Sequence, residues 1–348
     1  MSTLREKLLK NSTSSYTDVL VDSKIYNEKD IIPLNVPMMN VALSARLDGG
    51  MTPGLTMIAG ASKHFKSGFT LLLAAAFLHK YDDGIILFYD SEFGTPESYF
   101  DQFEIDRERV VHTPITNIEQ LKFDIVNQLE NIERGDKLMI IVDSVGNLAS
   151  KKEVEDAKEQ KTVADMTRAK QLKSLGRIIT PHLTLKNIPM VVVNHTYKEM
   201  SMFPKEIVGG GTGLYLSADN IWILGRQQEK DKDKEIVGWN FIINIEKSRY
   251  VKEKSKIPIS ITYEGGINKW SGLFDVAFEA GMIREVKKGK YVLINETGEI
   301  LSEEYKKIDL IDNNDFWSKV IVDPLFKEYI KNTYSMESST IKKTDEVE

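Results

Sequence analysis

Between residue 41 and about residue 270 the chain alternates short, almost unbroken apolar runs with longer stretches of mixed polarity. The runs at 55–59, 85–90, 138–143, 190–194 and 221–224 are dominated by Ile, Val, Leu and Met and show little in-out alternation. Strands covered on both faces have this character. With helical segments between them, they predict a largely parallel α/β sheet. Residues 1–30 read as a short amphipathic helix (Leu4, Leu8, Leu9), a polar stretch and Ile25-Tyr26. Such an arm cannot bury itself alone and is expected to pack on the body or on a neighbouring subunit. Residues 271–335, with Phe274, Phe278, Phe316, Trp317, Phe326 and Tyr329, read as a small separate unit, and 336–348 as a polar tail. The core is then 31–270.

Ligands of such sheets gather at the carboxyl ends of the strands, and polar residues stand there. The 55–59 strand runs into Gly60, Ala61, Ser62, Lys63, His64, Phe65, Lys66, Ser67 and Gly68, and a helix is predicted from Phe69 to about Lys80. Strand, bend and helix start form a phosphate-binding loop: backbone N–H groups surround the anion, Lys66 reaches the β/γ-phosphates and the Ser67 hydroxyl ligates Mg²⁺. The usual pattern has glycine where Phe65 stands, since glycine allows positive φ and close backbone approach. The next strand ends in Asp90-Ser91-Glu92, another in Asp143-Ser144 and a third in Asn194-His195. Asp143 is placed to hold Mg²⁺, directly or through water. Glu92 is a candidate general base for the attacking water, and His195 a sensor of the terminal phosphate. Singly, each has a structural explanation: a helix cap, a solvated carboxylate, a satisfied core histidine. Together, on successive strands beside a phosphate loop, they point to nucleotide hydrolysis.

Two long polar segments interrupt this scaffold at 147–161 and 198–213. The second carries Met200, Met202, Phe203 and Pro204, then Gly209, Gly210, Gly211, Thr212 and Gly213. Its glycines free backbone N–H groups for phosphates, and its Met and Phe side chains are suited to stacking on bases; its composition equally fits a flexible linker.

The 348 residues are 41% hydrophobic and 28% charged, an ordinary soluble composition. Cysteine is absent, which excludes disulfides and thiolate metal sites. The longest apolar run, 71–78, falls far short of the roughly 20 residues of a membrane span, so a cytoplasmic protein is expected. The formal charge of −6 argues mildly against nucleic acid, but local strips override it over a Debye length of ~8 Å. Lys161, Arg168, Lys170, Lys173 and Arg177 are opposed only by Asp165, and Lys247, Arg249, Lys252, Lys254 and Lys256 only by Glu253.

Taken together, the runs at 37–44, 60–67, 88–94, 143–153 and 165–170, Asn194-His195 and 209–213 resemble the RecA family of ATP-dependent recombinases, and within it the UvsX type of T-even-type bacteriophages, over nearly the whole chain. The resemblance implies a RecA-like P-loop ATPase core with a mostly parallel central sheet, an oligomerisation arm and a small C-terminal α/β unit. It also implies a DNA-dependent ATPase, using ATP and Mg²⁺, that forms a helical filament on single-stranded DNA, pairs it with homologous duplex DNA and exchanges strands. A ring-shaped helicase motor is the alternative. By resemblance Gly60, Lys66 and Ser67 hold phosphates and Mg²⁺, Glu92 activates water, Tyr99 packs on adenine, Asp143 is the Walker B acid and His195 is the polar switch. The segments at 147–161 and 198–213, with Lys151, Lys152, Met202, Phe203 and Gly209–Gly211, resemble the two DNA-binding loops, with Arg168 and Lys173 on the adjoining helix. Lys247 and Arg249 resemble cations that reach a neighbour's nucleotide. A UvsY-type mediator and a phage single-strand-binding protein are implied partners in the infected cell. The short terminal run 342–348 lacks the longer acidic tail of those relatives.

Overall fold

A computed structural model describes residues 3–159, 166–199, 205–230, 234–262 and 266–338. In chain order the strands are β1 (Gly54–Gly60), β2 (Ile85–Asp90), β3 (Val110–Pro114), β4 (Leu138–Asp143), β5 (Pro189–Lys198), β6 (Glu206–Val208), β7 (Asn220–Lys230), β8 (Ile236–Lys247), β9 (Lys256–Thr262), β10 (Gly266–Ile267), β11 (Ile283–Lys287) and β12 (Lys290–Leu293). The helices are α1 (Leu4–Asn11), α2 (Lys24–Asn27), α3 (Pro37–Ser44), α4 (Lys66–Lys80), α5 (Glu97–Gln102), α6 (Ile118–Asn131), α7 (Lys151–Lys158), α8 (Thr167–Lys186), α9 (Thr212–Ser217), α10 (Leu273–Glu279), α11 (Asn314–Val322) and α12 (Pro324–Tyr334).

The main sheet runs β10-β9-β8-β7-β1-β5-β4-β2-β3, with β6 paired to β5. From β7 to β3 neighbouring strands are parallel; β8, β9 and β10 extend the sheet antiparallel. All five apolar runs fall on its parallel strands. The antiparallel extension was not expected, for a physical reason. In β8 buried and part-exposed positions interleave, as in a strand with one solvated face, so it lacks the continuous apolar run of the parallel strands.

Two apolar cores flank the sheet. Along β1, Leu55, Met57 and Ala59 enter the core shared with α6 and α8, whereas Ile58 enters the one shared with α3 and α4. Trp270, Leu273, Phe316, Trp317, Phe326 and Ile330 of the C-terminal segment join that second core. The expected separate unit therefore shares its apolar interior with the sheet. Backbone bonds from Lys252 N–H to Tyr334 O (2.7 Å) and from Met336 N–H to Tyr250 O (2.9 Å) reinforce the join. α1 has a capping box between Thr3 and Glu6 and no buried residue; Leu4, Leu8 and Leu9 face solvent in this single chain. No helix among the described residues is long and apolar enough to cross a membrane.

Register aligns the carboxyl ends that matter. Gly60 lies beside His195 on one side and Leu224 on the other, and Asp90 lies beside Asp143.

Candidate nucleotide site and adjoining loops

The turn after β1 bends through positive φ at Lys63 (62°) and Phe65 (56°) before α4 begins at Lys66. Lys66 is buried, and its ammonium donates to Ala61 O at 3.0 Å. Burial lowers its pKa, opposed by the nearby charges of Glu92 and Asp143. The Ser67 hydroxyl donates to Asp143 Oδ2 at 2.6 Å. Burial pushes the Asp143 carboxyl up to about 6; the Ser67 bond opposes this, Glu92 and Asp90 add to it, and Lys66 opposes it. The other carboxylate oxygen, Oδ1, is buried without a hydrogen-bond partner. A buried, unpartnered carboxylate oxygen next to a hydroxyl fits a hard divalent cation with oxygen ligands, so Ser67 and Asp143 suit Mg²⁺.

Glu92 lies just past the end of β2. Asp90 Oδ1 accepts the N–H of Glu92 (3.0 Å) and of Phe93 (2.8 Å), which fixes the turn that carries it. Glu92 Oε1 accepts from Ser144 Oγ at 2.5 Å and from Asn147 Nδ2 at 3.1 Å, and lies 2.9 Å from His195 Nε2. On the same strand as His195, Asn194 Nδ2 donates to Gly209 O at 2.9 Å, and the Gly209 N–H donates to His195 O at 2.9 Å. An alanine Cβ at Gly146 would stand 2.3 Å from His195 Cδ2, so the first loop passes tightly against that ring. Glu92, His195, the first loop and the glycine run thus form one hydrogen-bonded patch.

Residue 147 onward was expected to be a loop. Instead Ser150 and Glu153 form a capping box and residues 151–158 form α7, which has no buried residue. Lys151 and Lys152 open it and are exposed, and Lys152 reaches Asp156. Lys173 is exposed on α8. Arg168 is engaged differently: Nε donates to Leu148 O (2.8 Å), and Nη2 to Val145 O (2.8 Å) and Gly146 O (2.9 Å). Here its guanidinium ties down the first loop. Gly210 and Gly211 precede the short α9. Lys161, Asp165, Met200, Met202, Phe203 and Pro204 lie outside the described residues.

Tyr99 lies on α5 and, with Phe65, Phe103, Trp239, Arg226 and Lys63, lines a cleft of about 1130 Å³ beside the phosphate loop. Arg226, only weakly marked in the sequence, donates to Lys63 O at 2.6 Å and stacks on Trp239 at 4.2 Å. Its only local signal was a cation two residues beyond Leu224, the partner of Gly60.

Lys247 and Arg249 stand at the opposite rim of the sheet. Lys247 donates to Tyr215 O (3.1 Å) and Leu216 O (2.9 Å), and burial lowers its pKa. Arg249 pairs with Asp219, whose Oδ2 accepts from Leu55 N–H at 2.9 Å. Leu55 is the second residue of β1 and Gly60 the last, a separation of roughly 16 Å at the usual strand rise. Within one chain the two cations are remote from the loop.

A mostly parallel sheet with a phosphate-type loop after β1, a buried carboxylate at the end of β4 and a glutamate past β2 defines the P-loop fold class. The sequence model of the RecA N-terminal domain matches residues 26–268, and that of the C-terminal domain of the bacteriophage T4 recombination and repair protein matches 270–330. The chain belongs to the RecA family. It is 48% identical over 341 residues to the recombination and repair protein of Enterobacteria phage T4, covering 97% of this chain and 87% of that one. It is 25% identical over 260 residues to Protein RecA of a Nocardioides species (74% and 71%) and 23% identical over 259 residues to that of Streptomyces ambofaciens (74% and 67%).

Proposed function

We propose that this chain is a DNA-dependent ATPase that assembles as a helical filament on single-stranded DNA and carries out homologous pairing and strand exchange in phage recombination and repair. The observation that carries this reading is the connection from Glu92 through His195 to Gly209. It supports the reading because Glu92, the proposed activator of water, lies two contacts from a glycine run suited to a nucleic-acid backbone.

In the proposed cycle, Lys66 and the N–H groups of residues 60–68 hold the β/γ-phosphates. Ser67 and Asp143 would hold Mg²⁺, which supplies charge neutralisation on the phosphate oxygens. Glu92, fixed by Asp90 from behind and by Ser144 and Asn147 in front, orients a water and takes its proton. His195 reports the occupancy of that patch to Gly209 and Asn194. Lys151, Lys152, Lys173 and Gly209–Gly211 face the DNA, and Met202 and Phe203, outside the described residues, are candidates for base contact by residue type. Lys247 and Arg249 serve the nucleotide of a neighbouring subunit; cations supplied in trans are worth 10³–10⁵ in rate in other nucleotide hydrolases.

Phosphate release measured with and without single-stranded DNA, with negative-stain imaging of the same samples, tests the reading. Stimulated hydrolysis together with filaments is expected. Closed rings that unwind duplex, without filaments, would favour the ring motor instead.

A further inference from the structure

A phenylalanine in the left-handed region carries a backbone penalty, and such a conformation persists only where its surroundings outweigh it. Phe65 has φ 56° and ψ 28°, where phosphate loops ordinarily use glycine. What outweighs the penalty is an aromatic cluster. The Phe65 ring lies 5.9 Å from Phe69 in a T-shaped pair, 5.9 Å from Phe241 and 6.3 Å from Phe103. Space for the ring comes from Gly68, where an added Cβ would stand 2.2 Å from Phe65 Cε1. Even alanine at 68 would displace it.

Phe103 closes α5, and its N–H donates to Tyr99 O at 3.1 Å. Phe65 therefore packs against the residue that ends the helix bearing Tyr99, and all three line one cleft. We propose that Phe65 is a positioning residue that fixes the Tyr99 wall of the cleft against the phosphate loop, so that base and phosphate recognition are coupled through its ring. The proposal rests on the nucleotide reading above and adds a division of labour to it. Phosphate binding is indifferent to the side chain at 65, because glycine suits the turn. Binding of the base depends on that side chain, because without it the Phe103 end of α5 loses its contact with the loop, while Phe100 still packs on Phe88 at the other face.

The test compares binding of Mg·ADP and of Mg·tripolyphosphate, which has no base, by calorimetry. Phe65→Gly, which keeps the backbone N–H at 65, should weaken ADP about tenfold relative to tripolyphosphate, the worth of a well-made aromatic contact. Phe103→Ala, which does not alter the loop, should reproduce that signature and keeps the test open if Phe65→Gly fails to fold. The double variant should be no worse than either single one, as residues acting through one contact are non-additive. Equal loss of both ligands, unchanged ADP affinity in Phe65→Gly, or additive losses would overturn the proposal. Wild-type protein that binds neither ligand would overturn the nucleotide reading, and the proposal with it.

Discussion

Asp143 and Glu92 lie in one patch but in different surroundings. Asp143 is buried and raised to about 6, whereas Glu92 is part-exposed and takes hydrogen bonds from Ser144 and Asn147. Replacing Glu92 with Gln should preserve nucleotide binding and cut hydrolysis by about 10²–10⁴, measured as single-turnover phosphate release; wild-type turnover would exclude a base role. For Asp143 the pH dependence has a definite sign. Its folded pKa lies above the usual 3.8, so its contribution to stability is full below that value and is lost as pH rises through about 6. Without nucleotide or metal, Asp143→Asn should therefore melt a few degrees higher than wild type at pH 8. That advantage should shrink below pH about 6, while Mg·ATP binding is weakened throughout; lower melting at every pH would contradict the burial argument. Much of this patch was legible because its chemistry is local: a Lys-Ser pair after a strand, acids at strand ends. The supports of Glu92 were not, because Asn147 and Ser144 reach it from a neighbouring strand's loop and only strand order brings them together.

Among the elements, α7 shows how a helix escapes a periodicity argument. With no buried face it has no apolar stripe, and it reads as a polar loop although Ser150-x-x-Glu153 is a start signal. Ser150→Ala should remove about 1 kcal/mol from that helix. The expected readout is faster amide exchange at 151–158 with the rest of the sheet unaffected; unchanged exchange would mean α7 is held by something other than its cap. Together, α7 and α8 carry a test of the DNA surface. Each phosphate contact contributes about 0.7 to the salt slope of single-strand binding, so Lys151→Ala and Lys173→Ala should each flatten that slope. Arg168→Ala should leave the slope unchanged and lower DNA-stimulated hydrolysis, because the Arg168 guanidinium holds the first loop through three carbonyls. A flatter slope in Arg168→Ala would place it on the phosphates.

For the whole molecule, the decisive feature is that the two rims carrying the candidate residues are opposite ends of one sheet. The phosphate loop, Glu92 and Asp143 lie at the carboxyl ends of the parallel strands; Lys247 and Arg249 lie at the other end, tied to Tyr215, Leu216 and Asp219. A chain that stacks head to tail brings one rim of each copy against the other rim of the next, a heterologous contact that propagates into a helix. The exposed leucines of α1 offer that contact an apolar component. Deleting residues 3–11 should leave the melting temperature of the isolated chain nearly unchanged, since α1 buries nothing within it, and should raise the concentration needed for assembly, read by light scattering with ATP and DNA. The charge of Lys247 and Arg249 is legible in the sequence, but their distance from the phosphate loop is not, because it depends on where β7 and β8 enter the sheet.

The most direct measurement mixes two inactive variants. Glu92→Gln keeps its cations, and Lys247→Ala/Arg249→Ala keeps its glutamate. If each site is completed by a neighbour, random assembly restores about a quarter of the contacts, and the mixture should hydrolyse ATP on single-stranded DNA although neither variant does alone. A mixture as inactive as its parts, with filaments formed, would contradict a site shared between copies.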